Sequence, residues 1–384
     1  MLGQTVTLDA FLPQEAFQKR RLLFLSLASM LPASKRLRTA ALVFCVAVLA
    51  AGCETPADDA PAEDTAAPLG AEAKSALAAL PAEARLLTVV DARALRRSGL
   101  FDRDSTRATR NASDETGAQR LKGFLEAAGF TPAEDVRTVY FAAPKGDEPP
   151  QLVVAADFER ARLRKQLAGE PGSSRFDTTT HRGATLYRLA RGGEGRSHAF
   201  ALTADELMLL STSAGVRRML DRREAGTNSA GDSDRLMRLA DRVRGRASTW
   251  FVTRGVLGGM PGGPSGQDAN ARRVQQVVRN TAGAVSVSDR VVEGEVFLYT
   301  RDGAAPADLR EVLEGLVSAA GRSGADDVVP SRLRMVLDGL ASVAGRSNDR
   351  RSSRKRQILE SLDIKEAGDH AVRVGFALPL DGAQ

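Results

Sequence analysis

The chain has 384 residues, of which 43% are hydrophobic, 5% aromatic and 27% charged, and its formal net charge is +6. This length accommodates two or more domains of ordinary size, and the hydrophobic content is enough for cores built from aliphatic side chains. The only cysteines, Cys45 and Cys53, lie close together near the N-terminus, which excludes disulfides and cysteine-ligated zinc from the region that follows them.

An apolar run at positions 40–51 follows a basic cluster at positions 35–38 and ends in small residues before Gly52. A basic flank, an apolar core of roughly 7–15 residues and a small-residue cleavage site are the features of a secretory signal peptide. A membrane-spanning helix needs about 17–25 apolar residues, so this run is too short to cross a bilayer. We therefore predict a signal peptide at residues 30–52.

The segment Leu49-Ala50-Ala51-Gly52-Cys53 resembles the lipobox of bacterial lipoproteins. The resemblance implies cleavage between Gly52 and Cys53, acylation of the Cys53 thiol with chains such as palmitate, and attachment to a membrane through that residue. Stable attachment requires more than one acyl chain. Glu54 stands where an aspartate retains some lipoproteins in the inner membrane, which favours the periplasmic side of the outer membrane. A plain secretory signal with an incidental Cys53, or a short core helix, is the alternative.

The composition changes several times along the chain. The segment after Cys53 is rich in Ala, Pro, Asp and Glu, and such segments cannot bury enough apolar surface to offset the entropy of ordering. We predict five divisions: a mis-annotated extension at 1–29 ahead of a start at Met30, the signal peptide at 30–52, a disordered tether at 53–79, a first lobe at 80–232 and a second lobe at 233–384.

Beyond the tether, strand patterns and helix patterns alternate. The first lobe is predicted to contain strands at 86–90, 136–142, 152–156 and 185–189 and within 199–211, and helices around 121–128, 163–167 and 216–220. The second lobe is predicted to contain helices around 236–243, 274–278, 309–317 and 333–340, and strands at 249–252, 284–287, 291–299 and 372–378. Both lobes read as strand–helix–strand–strand–helix–strand. This pattern predicts an α+β fold of two similar lobes, each a mainly antiparallel sheet with helices packed on one face.

The motifs that could carry chemistry are weak. His181, His198 and His370 are isolated from one another in the sequence, so no metal site with ordinary ligand spacing is predicted, and no cofactor is expected. Ser352 and Lys355 have the Ser-x-x-Lys spacing of penicillin-recognising enzymes, but the partner motifs are missing. The sequence thus nominates no catalytic residue.

The densest basic run lies at positions 346–356. We expect it to contact anionic lipid or glycan, or to form a solvated loop. Aromatic residues for stacking on bases are lacking nearby, so no nucleic-acid binding is expected. The candidate contact residues are Arg346, Arg350, Arg351, Arg354, Lys355 and Arg356.

These patterns together predict a lipid-anchored cell-envelope protein that binds or scaffolds at the membrane surface without catalysis. A periplasmic hydrolase of unrecognised family and a carrier of an apolar ligand are the alternatives. An enzyme would show a pocket with converging polar groups, a carrier would show a dry cavity, and a scaffold would show an exposed apolar patch or edge strand.

Overall fold

The structure, a computed structural model, describes residues 68–97, 130–145, 148–169, 176–189, 198–245, 247–255, 273–274, 276–288, 291–301, 305–322 and 360–379. These residues form an α+β fold dominated by one antiparallel sheet, which confirms the predicted fold class. The strands are β1 Leu86–Asp91, β2 Val136–Ala143, β3 Gln151–Ala156, β4 Phe176–His181, β5 Ala184–Leu189, β6 His198–Leu202, β7 Leu207–Thr212, β8 Thr249–Arg254, β9 Val278–Val287, β10 Val291–Thr300, β11 Asp363–Glu366 and β12 Ala371–Pro379.

The helices of the described part flank this sheet. They are α1 Ala71–Ala79, α2 Ala92–Arg97, α3 Pro132–Asp135, α4 Arg160–Ala168, α5 Ser213–Ala225, α6 Asp234–Asp241 and α7 Pro306–Arg322, with a short 3-10 helix at Ala230–Asp232. Among the residues described, no helix has both the length and the apolar character needed to span a membrane.

The twelve strands lie in the order β11-β12-β10-β9-β8-β1-β2-β3-β7-β6-β5-β4. Strand β1 is central, because Val89 lies opposite Tyr140 of β2 on one side and opposite Trp250 of β8 on the other. Backbone hydrogen bonds between β1 and β8 therefore join the two halves of the chain into one sheet. The predicted division into two lobes is not confirmed.

Side chains alternate between the two faces of each strand, and helices cover both faces. We call the face that carries Leu87 and Val89 the first face; the fully buried side chains of Leu77 in α1, Met219 in α5 and Leu236 in α6 belong to its core. On the second face, α4 joins a separate core with β6 and β7. The prediction of helices on one face is therefore wrong. Helices are needed on both faces because β7 is buried on both faces from Leu207 to Leu210.

Helix α1 corrects the predicted tether. The sequence predicts that residues 71–79 belong to the disordered tether, yet they form a helix whose Leu77 is fully buried. Its sequence, AEAKSALAA, is rich in alanine, which has the highest helix propensity. Burial of Leu77 in the core beneath α5 and α6 supplies the stabilisation that so short a helix lacks in water.

Candidate functional site

Most of the residues nominated from the sequence lie outside the described residues. Gly52, Cys53 and the basic run at 346–356 belong to this group. The lipid anchor and the basic contact surface therefore remain predictions. The helices predicted around 121–128 and 333–340 also lie outside the described residues.

His181 is paired, in contrast to its isolation in the sequence. Its Nε2 lies 2.8 Å from Oδ1 of Asp221 in α5, and Nε of Arg182 donates to the same oxygen at 3.0 Å. These contacts lower the pKa of Asp221, with the hydrogen bond from His181 as the largest cause. The pair ties the β4–β5 hairpin to α5. In the described part of the chain, no group of three or more His, Cys, Asp or Glu side chains is placed to hold a metal ion.

Arg137 is the centre of an ion-pair network at one end of β2. It occupies a bulge, because Val136 and Thr138 pair with consecutive residues of β3 and leave Arg137 without an opposite residue. Its guanidinium donates to Glu72 of α1 at 2.8 Å, to Glu206 of the β6–β7 turn at 2.9 Å, and to Asp157. Burial opposes the charge of Arg137, yet these three carboxylates outweigh it and raise its pKa. The network is structural, since it joins three parts of the chain.

A second junction surrounds Asp205 in the β6–β7 turn. Its carboxylate accepts hydrogen bonds from Thr203 Oγ1 at 2.6 Å, from Arg223 of α5 at 2.9 Å, and from the Ser75 hydroxyl of α1. Burial would raise the pKa of Asp205, but the hydrogen bonds from Ser75 and Thr203 and the charge of Arg223 lower it. This junction holds α1 and α5 against the turn of the β6–β7 hairpin.

A different arrangement occurs on the first face where β8 ends. Arg254 of β8 lies opposite Asn280 of β9, which lies opposite Tyr299 of β10. Because side chains alternate along a strand, Arg254 shares its face with Trp250 and Val252, which are core residues there. A polar row therefore borders the apolar core of this face.

Two more arginines lie near the row, one in helix α6 and one in strand β9. Arg235 follows Asp234 in the first turn of α6, the helix that packs on β8. Arg279 occupies a bulge in β9, because Asn280 pairs with Tyr299 whereas Val278 pairs with Thr300. Bulges re-aim the side chain of the extra residue. We call Arg235, Arg254, Arg279, Asn280 and Tyr299 the arginine cluster.

The positive charges of Arg254 and Arg279 oppose the charge of Arg235. Burial lowers the pKa of the half-buried Arg235, and the charges of Arg254 and Arg279 lower it further. A guanidinium stays protonated in proteins, so the lowered pKa means that its charge is held at a cost in free energy. The position of Arg235 adds to this cost, because a cation in the first turn of a helix opposes the helix dipole.

Several polar atoms of the arginine cluster are buried and have no hydrogen-bond partner among the described residues. They are Nε and Nη2 of Arg235, Nε of Arg254, Oδ1 of Asn280 and Oη of Tyr299. Asn280 is only 9% exposed. Leaving a buried donor or acceptor unsatisfied costs about 1–3 kcal/mol. Burial also raises the pKa of Tyr299, so its phenol stays protonated and remains a donor.

The arginine cluster offers hydrogen-bond donors and positive charge to a ligand. Arg235, Arg254 and Arg279 are widely separated in the sequence, and none was nominated from it. Only the strand register, the bulge in β9 and the docking of α6 on β8 bring them together. No pattern within one segment could have identified the site.

Comparison with known proteins gives no family for this chain. No protein-family model matches it, and no curated protein matches it. Among solved structures, crystal forms III and I of TP0453 each match with a TM-score of 0.42 and 9% identity over 79% of this chain, covering 94% and 92% of their own chains. Crystal form IV matches with a TM-score of 0.37 and 10% identity, over 58% of this chain and 80% of the other. Similarity at this level carries no argument about function.

Proposed function

We propose that the chain is a lipid-anchored cell-envelope protein that binds or scaffolds another protein without catalysis. Cys53 would carry the anchor, and the periplasmic side of the outer membrane is the favoured location. The observation that supports the binding role is the edge strand β4, which in the described part of the chain pairs only with β5. Its residues Asp177, Thr178, Thr179 and Thr180 are all exposed.

The outer edge of β4 is suited to accept a further strand. An edge strand presents a row of backbone N–H and C=O groups, and proteins usually protect such edges with charged side chains, lysine above all, with proline or with a bulge. β4 contains no lysine or proline, its acidic residue Asp177 is ion-paired with Arg188 of β5, and its register with β5 is regular from Phe176 to His181. An extended segment of a partner can pair with such an edge through main-chain hydrogen bonds.

Contacts with α5 hold this edge in place. Residues Arg182 and Gly183 have φ values of 49° and 70° and form the two-residue turn of the hairpin, a geometry that matches the twist of paired strands. The side chain of Arg182 contacts Glu224 of α5 at 2.9 Å, in addition to the Asp221 contact shared with His181. A pre-ordered edge loses less conformational entropy when a partner binds.

Site-specific photo-crosslinking in cells tests this role. A photoreactive phenylalanine analogue at the exposed Thr179 is expected to crosslink a partner protein, because an added strand would lie within about 5 Å of β4. The matched control carries the analogue at Arg238, which is exposed on α6 beside the opposite half of the sheet. Absence of a crosslink at Thr179, or equal crosslinking at both positions, contradicts the proposed use of β4.

A further inference from the structure

We propose that the arginine cluster is a binding site for the phosphate group of a hydroxyl-bearing phosphate ester. This proposal does not depend on the role of β4, because the cluster lies across β8, β9 and β10, in the other half of the sheet. It rests on three observations: like charges that act on Arg235, buried polar atoms without partners among the described residues, and the exposure of one member of the cluster to solvent.

The first observation concerns charge. The charges of Arg254 and Arg279 act on Arg235, and no carboxylate of the described residues is among the groups that displace the pKa of Arg235. A phosphate monoester carries a charge of about −1.5 to −2 near neutral pH and three acceptor oxygens. Guanidinium groups bind such oxygens through short, charge-assisted hydrogen bonds. A single carboxylate, with one charge and two oxygens, would leave part of the positive charge of Arg235 and Arg254 uncompensated.

The second observation concerns the buried polar atoms. The partnerless nitrogens of Arg235 and Arg254 are donors, and the hydroxyl of Tyr299 can also donate. All three side chains can donate hydrogen bonds to phosphate oxygens. The partnerless Oδ1 of Asn280 is an acceptor, so it requires a donor on the ligand. A hydroxyl next to the phosphate supplies that donor, which is why we infer a phosphorylated polyol or sugar rather than phosphate alone.

The third observation concerns access. Arg279 is exposed, Arg235 and Arg254 are half-buried, and Asn280 is buried. The arginine cluster thus combines one exposed arginine with two half-buried arginines and a buried amide. The exposed Arg279 is the member that a ligand in solvent would meet first.

Titration calorimetry of the full-length protein with inorganic phosphate and with glycerol 3-phosphate tests the proposal. Arg254→Met is expected to weaken binding of glycerol 3-phosphate about 10- to 100-fold, because it removes a charge-assisted hydrogen bond. Arg238→Met is the matched control. It makes the same change of charge on α6 at an exposed arginine that lies outside the cluster, and it should change affinity by less than about twofold.

Stability without ligand separates binding from a structural role. Arg235→Met is expected to raise Tm by about 2–4 °C in phosphate-free buffer, because it removes an unpaired, repelled charge from the first turn of α6. It should also abolish the rise in Tm that glycerol 3-phosphate produces in the wild type. A fall in Tm would show that Arg235 stabilises the fold and would overturn this reading.

Binding to lipid vesicles distinguishes a lipid headgroup from a soluble phosphate ester as the ligand. Binding to vesicles that contain phosphatidylglycerol phosphate, whose terminal phosphate monoester lies beside a hydroxyl, without binding of glycerol 3-phosphate and with loss in Arg254→Met, supports the same site with a lipid headgroup as its ligand. Absence of binding to the soluble phosphates and to the vesicles overturns the proposal. An equal loss in Arg254→Met and Arg238→Met overturns it as well.

Discussion

Replacing Phe251 with alanine is expected to lower the free energy of unfolding by about 3–5 kcal/mol. Phe251 is 2% exposed and lies in β8, between Thr88 of β1 and Gly283 of β9. Its loss leaves a cavity at the pairing of β1 with β8, where the two halves of the chain meet. Urea denaturation measures the change. Phe297→Ala is the control, because Phe297 is only partly buried and its replacement should lower the free energy of unfolding by less.

The same experiment tests whether the sheet unfolds as one unit. Trp250 is the only tryptophan and lies in β8 beside Phe251, so its fluorescence reports on the pairing of β1 with β8. Because β1 and β8 are hydrogen-bonded along their length, fluorescence and far-UV circular dichroism should give coincident transitions in the wild type. Separate transitions would indicate two independently folding halves, and a loss below about 1 kcal/mol in Phe251→Ala would contradict the central position of β8.

Replacing Arg137 with methionine is expected to lower the free energy of unfolding by about 2–3 kcal/mol. The side chain of Arg137 is 12% exposed, and its removal leaves Glu72, Asp157 and Glu206 without their shared cation. Those carboxylates are partly solvated, which limits the loss to less than that of a fully buried pair.

Arg188→Met is the control for Arg137→Met. Arg188 also forms an ion pair, with Asp177, but its side chain is 51% exposed, and exposed pairs contribute about 0–1 kcal/mol. Thermal and urea unfolding of both variants give the comparison. Equal losses in the two variants would contradict the assignment of Arg137 as the centre of a structural network.

The sequence predicted those strands whose residues follow an apolar or alternating pattern. The strand predicted at 86–90 is β1, and the strand predicted at 249–252 is β8. The edge strand β4 was missed, because its sequence FDTTTH contains a single apolar residue and shows no alternation. Pairing with β5 defines β4, and such pairing is not visible in the pattern of one segment.

Two further features could not be predicted from the sequence: the pairing that joins the two halves of the chain into one sheet, and the arginine cluster. The pairing of β1 with β8 links segments that were assigned to different lobes, and both have apolar faces that fit either a separate or a shared sheet. The arginine cluster depends on register, since Arg279 reaches it only through a bulge. A shift of one residue would place Arg254 on the opposite face.

Labelling with a fatty acid most directly tests the claim that this is a lipid-anchored envelope protein. Cells grown with labelled palmitate are expected to yield labelled protein whose mature N-terminus is Cys53, and Cys53→Ser should lose both the label and membrane attachment. Cys45→Ser is the matched control and should keep both, because Cys45 lies within the predicted signal peptide. An unlabelled wild-type protein, or a Cys53→Ser variant that remains membrane-bound, would contradict the account.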